Sequence, residues 1–308
     1  MHEENVKKTV REFYDSVGWQ KVSEDCFQNA QYEDLRPVSR DYIHRCHMRV
    51  KRHLAPEGRY LLDAGSGPVQ YPEYLTYSEG YQARVCMDIS IVALQEARKR
   101  LGSHGMYVVG DVVHLPFKSD SFDGIVSLHT IHHVPMGDQL PAYEELHRVL
   151  NPGKSMVVVN GWTKAILMTR LAGFMQFMQE FRGWWLRKVK SQEHETDQES
   201  ENQESSQEAT GSQKSAPDGT FVHKIDAEWL TAALADRMPH QILVWRSVSV
   251  SFLRAVIYAD WGGRFWLNVL FWLEERFPKL LGRIGQYPLI VICKTPIKEN
   301  ASRETTTV

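Results

Sequence analysis

Charge of one sign is missing from this chain. Across 308 residues, 36 Lys and Arg stand against 38 Asp and Glu, a formal net charge of −2. No global basic field advertises nucleic-acid binding, and no nucleic-acid partner is expected. Cysteine is scarce as well. The four residues, Cys26, Cys46, Cys86 and Cys293, are scattered. No Cys-x-x-Cys pair and no Cys/His cluster has metal-ligand spacing, so no metal site is expected, and the pattern reads as reduced, mostly buried thiols in a cytosolic protein. Long uncharged runs are also lacking. None reaches the roughly 18–20 residues that a bilayer crossing requires. Arg246 and Arg254 interrupt one apolar region, and Arg264, Glu274, Glu275 and Arg276 interrupt another. The opening Met1-His2-Glu3-Glu4-Asn5-Val6-Lys7-Lys8 has no apolar stretch of the signal-peptide kind. A cytoplasmic protein is expected, with attachment to a membrane surface left open.

What is present is ordinary globular material: 43% hydrophobic and 24% charged residues, enough for one elaborated domain or two. Val6, Val10, Phe13, Tyr14 and Val17 recur at helical spacing, and a second helix is predicted from Ser39 to Leu54 with Ser39 as its N-cap. After Pro56-Glu57-Gly58 the period changes. Strands are predicted at Tyr60–Ala64, Ala83–Asp88, Met106–Gly110, Phe122–Leu128 and Ser155–Asn160, with helices near Pro72–Tyr77, Ile91–Leu101 and Gln139–Leu150 between them. Such alternation implies a parallel sheet covered on both faces.

The second half is less regular. Leu167, Leu171, Phe174, Met178, Phe181 and Trp185 mark one stripe of a long helix from Lys164 to Val189. Residues 191–220 are dominated by Gln, Glu, Ser and Thr, too polar to offset their ordering entropy, and read as a disordered insertion. A helix over Ile225–Arg237, a strand over Gln241–Val250, an aromatic-rich helical region over Phe252–Leu281 and a last strand over Tyr287–Lys294 follow. The expected organisation is a single domain: a helical cap (1–56), a ligand-binding core (57–162), a helical insertion (163–190), the disordered insertion (191–220), the remaining helix and strands (221–295, with the aromatic insertion at 252–281) and a flexible tail (296–308).

Chemistry concentrates at the ends of the predicted strands. Leu61-Leu62-Asp63-Ala64-Gly65-Ser66-Gly67-Pro68 runs a buried strand into a tight glycine turn, where missing Cβ atoms and tolerance of positive φ let backbone approach a ligand. Asp63 closes the first strand. Asp88 closes the second, followed by Ile89, and Asp111 with Val112 follows the third. Ser127-Leu128-His129-Thr130-Ile131-His132-His133-Val134 follows the fourth. In an open α/β sheet these positions gather at the carboxyl ends of the strands, where ligands bind.

Residues from about Tyr60 to Val159 resemble the ubiquinone/menaquinone-type branch of class I S-adenosylmethionine (SAM)-dependent methyltransferases. The motifs that carry the resemblance are LLDAGSGP, VVGDVVHLPFKSDSFDGIVSLHTIHHV and ELHRVLNPGKSMVVV. It implies a Rossmann-like α/β fold with a seven-stranded, mostly parallel sheet whose last strand is antiparallel. It further implies SAM as cofactor, with Asp63, Gly65 and Gly67 at the methionine end, Asp88 and Ile89 at the ribose, and Asp111 and Val112 at the adenine. His129 would floor the pocket, and Tyr14 would close over the cofactor. The chain departs from relatives at Pro68-Val69-Gln70, where a third small residue is common, and at Lys154, where a glycine is common.

A methyl acceptor of small size is expected, lipophilic or aromatic because of the aromatic helical insertions. His133 or His132 is the candidate base if the acceptor is a hydroxyl. A catalytically silent partner of this fold and a protein or RNA methyltransferase stand as alternatives. A nicotinamide dehydrogenase is disfavoured, because Gln70 occupies the place of the third glycine in Gly-x-Gly-x-x-Gly.

Overall fold

The computed structural model describes residues 3–19, 21–23, 26–27, 33–196 and 221–296. Helix α1 (Glu3–Phe13) runs into a π-helical turn at Tyr14–Gly18, followed by a two-stranded ribbon of β1 (Lys21–Ser23) and β2 (Cys26–Phe27) and then α2 (Arg40–Lys51). The alternating part comprises β3 (Gly58–Ala64), α3 (Pro72–Leu75), β4 (Tyr81–Asp88), α4 (Ile91–Leu101), β5 (Gly105–Val109), β6 (Gly124–Leu128), α5 (Met136–Val149) and β7 (Ser155–Val159). Beyond it lie α6 (Ile166–Thr196), α7 (Ala227–Leu234), β8 (His240–Arg246), α8 (Val250–Val256), α9 (Gly263–Arg276), α10 (Pro278–Ile284) and β9 (Tyr287–Cys293).

The main sheet has seven strands in the order β5-β4-β3-β6-β7-β9-β8. Neighbours from β5 to β7 pair in parallel, and β9 alone runs antiparallel, to both β7 and β8. Strand alternation splits the core into two layers. Leu62, Val85 and Ile125 face a cluster closed by Tyr143 and Leu146 of α5. Leu61, Cys86 and Val126 face the opposite cluster with Leu94 of α4 and Val50 of α2. Chain reversal between β3 and its two neighbours opens a crevice at the carboxyl edge, the switch point of a doubly wound sheet.

Several predicted boundaries shift for local reasons. The strand predicted through Val250 ends at Arg246, because the Ser249 side chain accepts the Phe252 N–H at 3.0 Å and caps α8. Ser39 precedes α2, but its hydroxyl donates to Asp34 Oδ2 at 2.6 Å instead of capping the helix. The aromatic region predicted as helical forms three helices, separated by Gly262 in a left-handed conformation and by Pro278. Helix α6 continues to Thr196, six residues into the stretch read as disordered, where Gln and Glu are good helix formers. Residues 197–220 and those after 296 lie outside the described residues. Cys46 and Cys86 are buried as expected, whereas Cys293 is exposed.

A third cluster joins the additions to the sheet: Tyr42 and Cys46 of α2, Leu253 of α8 and Leu267 of α9, with Met168, Leu171 and Met175 of α6 against it. At its centre Glu274 accepts from Tyr42 Oη at 2.8 Å, Arg49 Nη1 at 2.9 Å and both the N–H and hydroxyl of Ser247 at 2.8 and 2.6 Å. Four donors satisfy a carboxylate that is fully buried. Beyond this anchorage the stripe predicted on α6 is not buried. Phe174, Phe181 and Trp185 remain 45%, 38% and 44% exposed.

Candidate functional site

A cavity of about 460 Å³ opens at the carboxyl ends of β3, β4, β6 and β8, within the size range of small-molecule sites. The glycine turn forms its floor. Gly65 and Gly67 adopt φ of +74° and +53°, and the Gly65 and Ser66 N–H groups donate to the Met87 carbonyl at 2.7 and 3.1 Å. A Cβ at Gly65 would lie 2.2 Å from the Thr130 side chain, and one at Gly67 would lie 3.0 Å from the Trp19 ring. Both glycines are therefore required by close approach as well as by backbone conformation.

Asp88 lines the cavity at the end of β4. Its carboxylate accepts the Gly67 N–H at 2.9 Å and the Ser90 N–H at 2.9 Å. Burial pushes its pKa up to about 6 against the lowering effect of those N–H groups, with Asp63 and Asp15 adding repulsion. Ile89, Asp111 and Val112 line the same cavity. Asp111 is held by Lys7 of α1 at 2.7 Å, which also reaches Asp138 at 3.4 Å, so the N-terminal helix is tied across the end of β5. Tyr14 stacks on Trp19, centroids 5.0 Å apart, and both rings border the cavity.

Asp63 does not line the cavity. Its carboxylate is 3% exposed and turned sideways to Arg84 of β4, whose Nη2 and Nε donate to Oδ2 at 2.5 and 3.1 Å. Arg84 also donates through Nη1 to the Tyr74 carbonyl. The acid at the end of β3 thus braces the strand beneath the glycine turn.

All three histidines border the cavity. His129 sits at φ +57°, a strained conformation for a non-glycine residue, fixed by its N–H donating to the Val159 carbonyl at 2.7 Å. Burial, reinforced by Arg246, lowers its pKa to about 3. His133 Nδ1 lies 2.7 Å from the Phe221 carbonyl, which admits only a donor, so Nε2 carries the lone pair and accepts the Tyr14 hydroxyl at 2.9 Å. Burial lowers its pKa to about 4. His132 Nδ1 meets Asn160 Oδ1 at 3.3 Å, and burial lowers its pKa well below the ordinary value. At neutral pH all three are uncharged. Among the described residues no group of three or more His, Cys, Asp or Glu is arranged to hold a metal ion.

The far half of the cavity contains residues that sequence reasoning missed. Glu33 and Arg246 form a buried ion pair there; burial pushes the Glu33 carboxyl up, but the Arg246 charge and the neighbouring His47 outweigh it and hold its pKa at about 2. Trp245 stacks on His47 at 5.3 Å and meets His129 edge-on at 5.1 Å. Tyr287 packs against His129 and under the Arg246 guanidinium. Lys224 follows the insertion and reaches the cavity from a segment pinned at several points. His223 N–H donates to the His132 carbonyl at 2.7 Å, Gln139 Nε2 donates to the His223 carbonyl at 2.7 Å, and Thr163 Oγ1 donates to the Lys224 carbonyl at 2.5 Å. Trp245 and Arg246 lay inside one predicted strand, Tyr287 at the start of another and His47 inside a predicted helix; Glu33 and Lys224 carried no periodic or motif signal.

The sheet order, the antiparallel last strand and the glycine turn with acids at successive strand ends define the class I SAM-dependent methyltransferase fold. Residues 62–158 match the family described as methyltransferase domain. Over 138 residues the chain is 28% identical to a probable phthiotriol/phenolphthiotriol dimycocerosates methyltransferase 2 of Mycobacterium ulcerans, covering 41% of this chain and 52% of that protein. Over 114 residues it is 35% identical to a ubiquinone/menaquinone biosynthesis C-methyltransferase UbiE of Cereibacter sphaeroides, covering 34% of this chain and 44% of that protein. The chain spans about half the length of these relatives. In fold it is similar to the phosphoethanolamine N-methyltransferase 1 of Haemonchus contortus, with a TM-score of 0.55 at 13% identity, covering 100% of this chain and 52% of that one.

Proposed function

We propose that the chain acts as one domain that methylates a small, lipophilic or aromatic acceptor. The observation that carries this reading is a single cavity with two unlike halves. One is bordered by the glycine turn, Asp88 and Asp111, and the other by Tyr71, Trp245, Tyr287 and the histidines. When bound, SAM supplies a methyl group activated by a positive sulfur, so the protein contributes mainly alignment and exclusion of water.

The residues fit that donor. Gly65 and Gly67 offer bare backbone to its methionine end, the Asp88 carboxylate suits the ribose diol, and Asp111 with Val112 suits the adenine. Asp63 acts through Arg84 and the turn. His129 floors the pocket, while Tyr14 and Trp19 shut the mouth over the glycine turn. His133 Nε2, whose lone pair accepts the Tyr14 hydroxyl, would take an acceptor hydroxyl only in exchange for that bond; His132 is the second candidate. The curated relatives named for lipid and quinone methylation support a lipophilic acceptor.

An exposed aromatic surface supports delivery of that acceptor from a membrane surface. Phe177, Phe181, Trp184 and Trp185 of α6 stand in water, and Phe181 touches Trp261 at 5.7 Å before α9, which exposes Phe265 and Trp266. Arg182, Arg187 and Lys188 are interleaved on α6, a combination suited to an anionic lipid interface. No described helix is long and apolar enough to cross a membrane. The test is co-sedimentation with vesicles of mixed phosphatidylcholine and phosphatidylserine, alongside methyl transfer to a vesicle-borne quinol. The Trp184→Ala/Trp185→Ala protein is expected to lose on the order of tenfold in vesicle affinity and in transfer to the embedded acceptor. SAM binding should stay unchanged. Undiminished sedimentation and transfer would remove the membrane from this reading.

A further inference from the structure

Lys224 contributes positive charge to the acceptor half of the cavity that no nearby group answers. It lines the cavity and, among the described residues, its ammonium makes no hydrogen bond or ion pair. Its stem and ammonium lie against bare backbone, since a Cβ at Gly161 would fall 3.3 Å from Lys224 Cε and 3.4 Å from Nζ. The other groups around it leave its charge standing. His129, His132 and His133 are neutral, and Glu33 is committed to Arg246. Arg246 is 2% exposed, lines the same cavity and keeps its Nε buried without a hydrogen-bond partner. The lysine pays for burial with a lowered pKa, as expected of an ammonium held out of water with no counter-ion.

The acceptor side thus holds one net positive charge, with the Lys224 ammonium unpaired, next to the site for a cofactor whose sulfur is itself positive. An uncharged acceptor would leave the Lys224 ammonium without a counter-ion. An acceptor bearing a negative oxygen would pair with the ammonium. The walls suit a flat ring: Tyr71, Trp245 and Tyr287 are arranged around His129 and His47.

Resting on the methyltransferase reading, we propose that the acceptor is an aromatic compound bound as its phenolate, with Lys224 as the counter-ion to the ionised oxygen. The acceptor's O–H bond breaks heterolytically, the proton passes to solvent, and the electron pair stays on the oxygen facing the ammonium. No protonated histidine is needed. Lys224 is a positioning and specificity residue for the oxygen.

The test reads ionisation instead of turnover. 4-Nitrophenol is titrated into the full chain in the presence of S-adenosylhomocysteine, and the visible absorbance of its ionised form is followed against pH. The bound probe is expected to ionise about 1 pH unit below the free compound. Lys224→Met should abolish that shift and weaken binding about tenfold, and Lys224→Arg should restore most of both. S-adenosylhomocysteine affinity, measured separately by calorimetry, should agree within twofold among the three proteins. A bound probe that ionises like the free compound in the wild type, or equally in Lys224→Met, overturns the proposal. Failure of the wild type to bind S-adenosylhomocysteine would instead overturn the methyltransferase reading beneath it.

Discussion

Replacing Arg84 by methionine is expected to destabilise the protein by about 3–5 kcal/mol, the usual cost of removing one partner from a buried ion pair. Arg84 has no exposed surface and Asp63 is 3% exposed, so the carboxylate left behind would face neither water nor a cation. The Tyr74 carbonyl would lose its donor as well. Thermal unfolding by circular dichroism should show a fall in Tm on the order of 10 °C. Asp63→Asn combined with Arg84→Met should recover a substantial part of the loss, because the pair would then be replaced by groups that cost less to bury. If Arg84→Met unfolds like the wild type, the brace beneath the glycine turn is unimportant to the fold. If the double variant is no better than the single one, the penalty comes from lost packing and not from the stranded charge.

Gly65→Val should remove SAM binding altogether while leaving the sheet folded. The residue sits at φ +74°, where a β-branched side chain is strained, and its Cβ would overlap Thr130. Strain of this kind costs about 1–3 kcal/mol. Relief requires the turn to move away from the Met87 carbonyl that fastens it. Displacing the turn also frees the Gly67 N–H from Asp88, so both ends of the cofactor site are disturbed. Calorimetric affinity for S-adenosylhomocysteine should fall by at least 100-fold, equivalent to about 2.7 kcal/mol. Gly65→Ala with Thr130→Gly removes the overlap but keeps the positive φ, and should bind with intermediate affinity. Wild-type affinity in Gly65→Val would show that the turn does not meet the ligand.

The strands of the parallel core were readable because each is a short apolar run ended by a turn or an acid, and this local pattern survives in the fold. Leu61 and Leu62 serve opposite layers, as adjacent residues of a strand buried on both faces must. The glycine turn and Asp88 were readable because the turn has a backbone requirement written into residue type. The rest of the cavity was assembled from distant segments. Lys7 reaches Asp111 across more than a hundred residues, and Glu33 and Arg246 meet from opposite ends of the chain. No spacing encodes such a meeting. Asp63 was read by position alone; its partner Arg84 looked like an ordinary strand residue, and only the paired geometry turns the acid sideways. The stripe on α6 shows a different limit. Periodicity reports a face that shuns water and not what covers it, so the stripe alone suits core, lid and membrane contact alike, and only the fold shows Phe174 and Trp185 at the surface.

Calorimetric titration with S-adenosylhomocysteine, comparing wild type with Asp88→Ala and Asp88→Asn, tests the assignment of the cavity most directly. The ionised carboxylate is the form that accepts from a ribose diol. Because burial places its pKa at about 6, wild-type affinity should hold at neutral pH and weaken as pH falls through that value. The raised pKa also means that the charged acid opposes folding above about pH 6, so Asp88→Asn should unfold no earlier than the wild type at neutral pH. Micromolar binding by the wild type, lost in both well-folded variants, is the expected result. Absence of binding by folded wild-type protein, or affinity indifferent to Asp88 and to pH, would contradict the assignment of this cavity to the methyl donor.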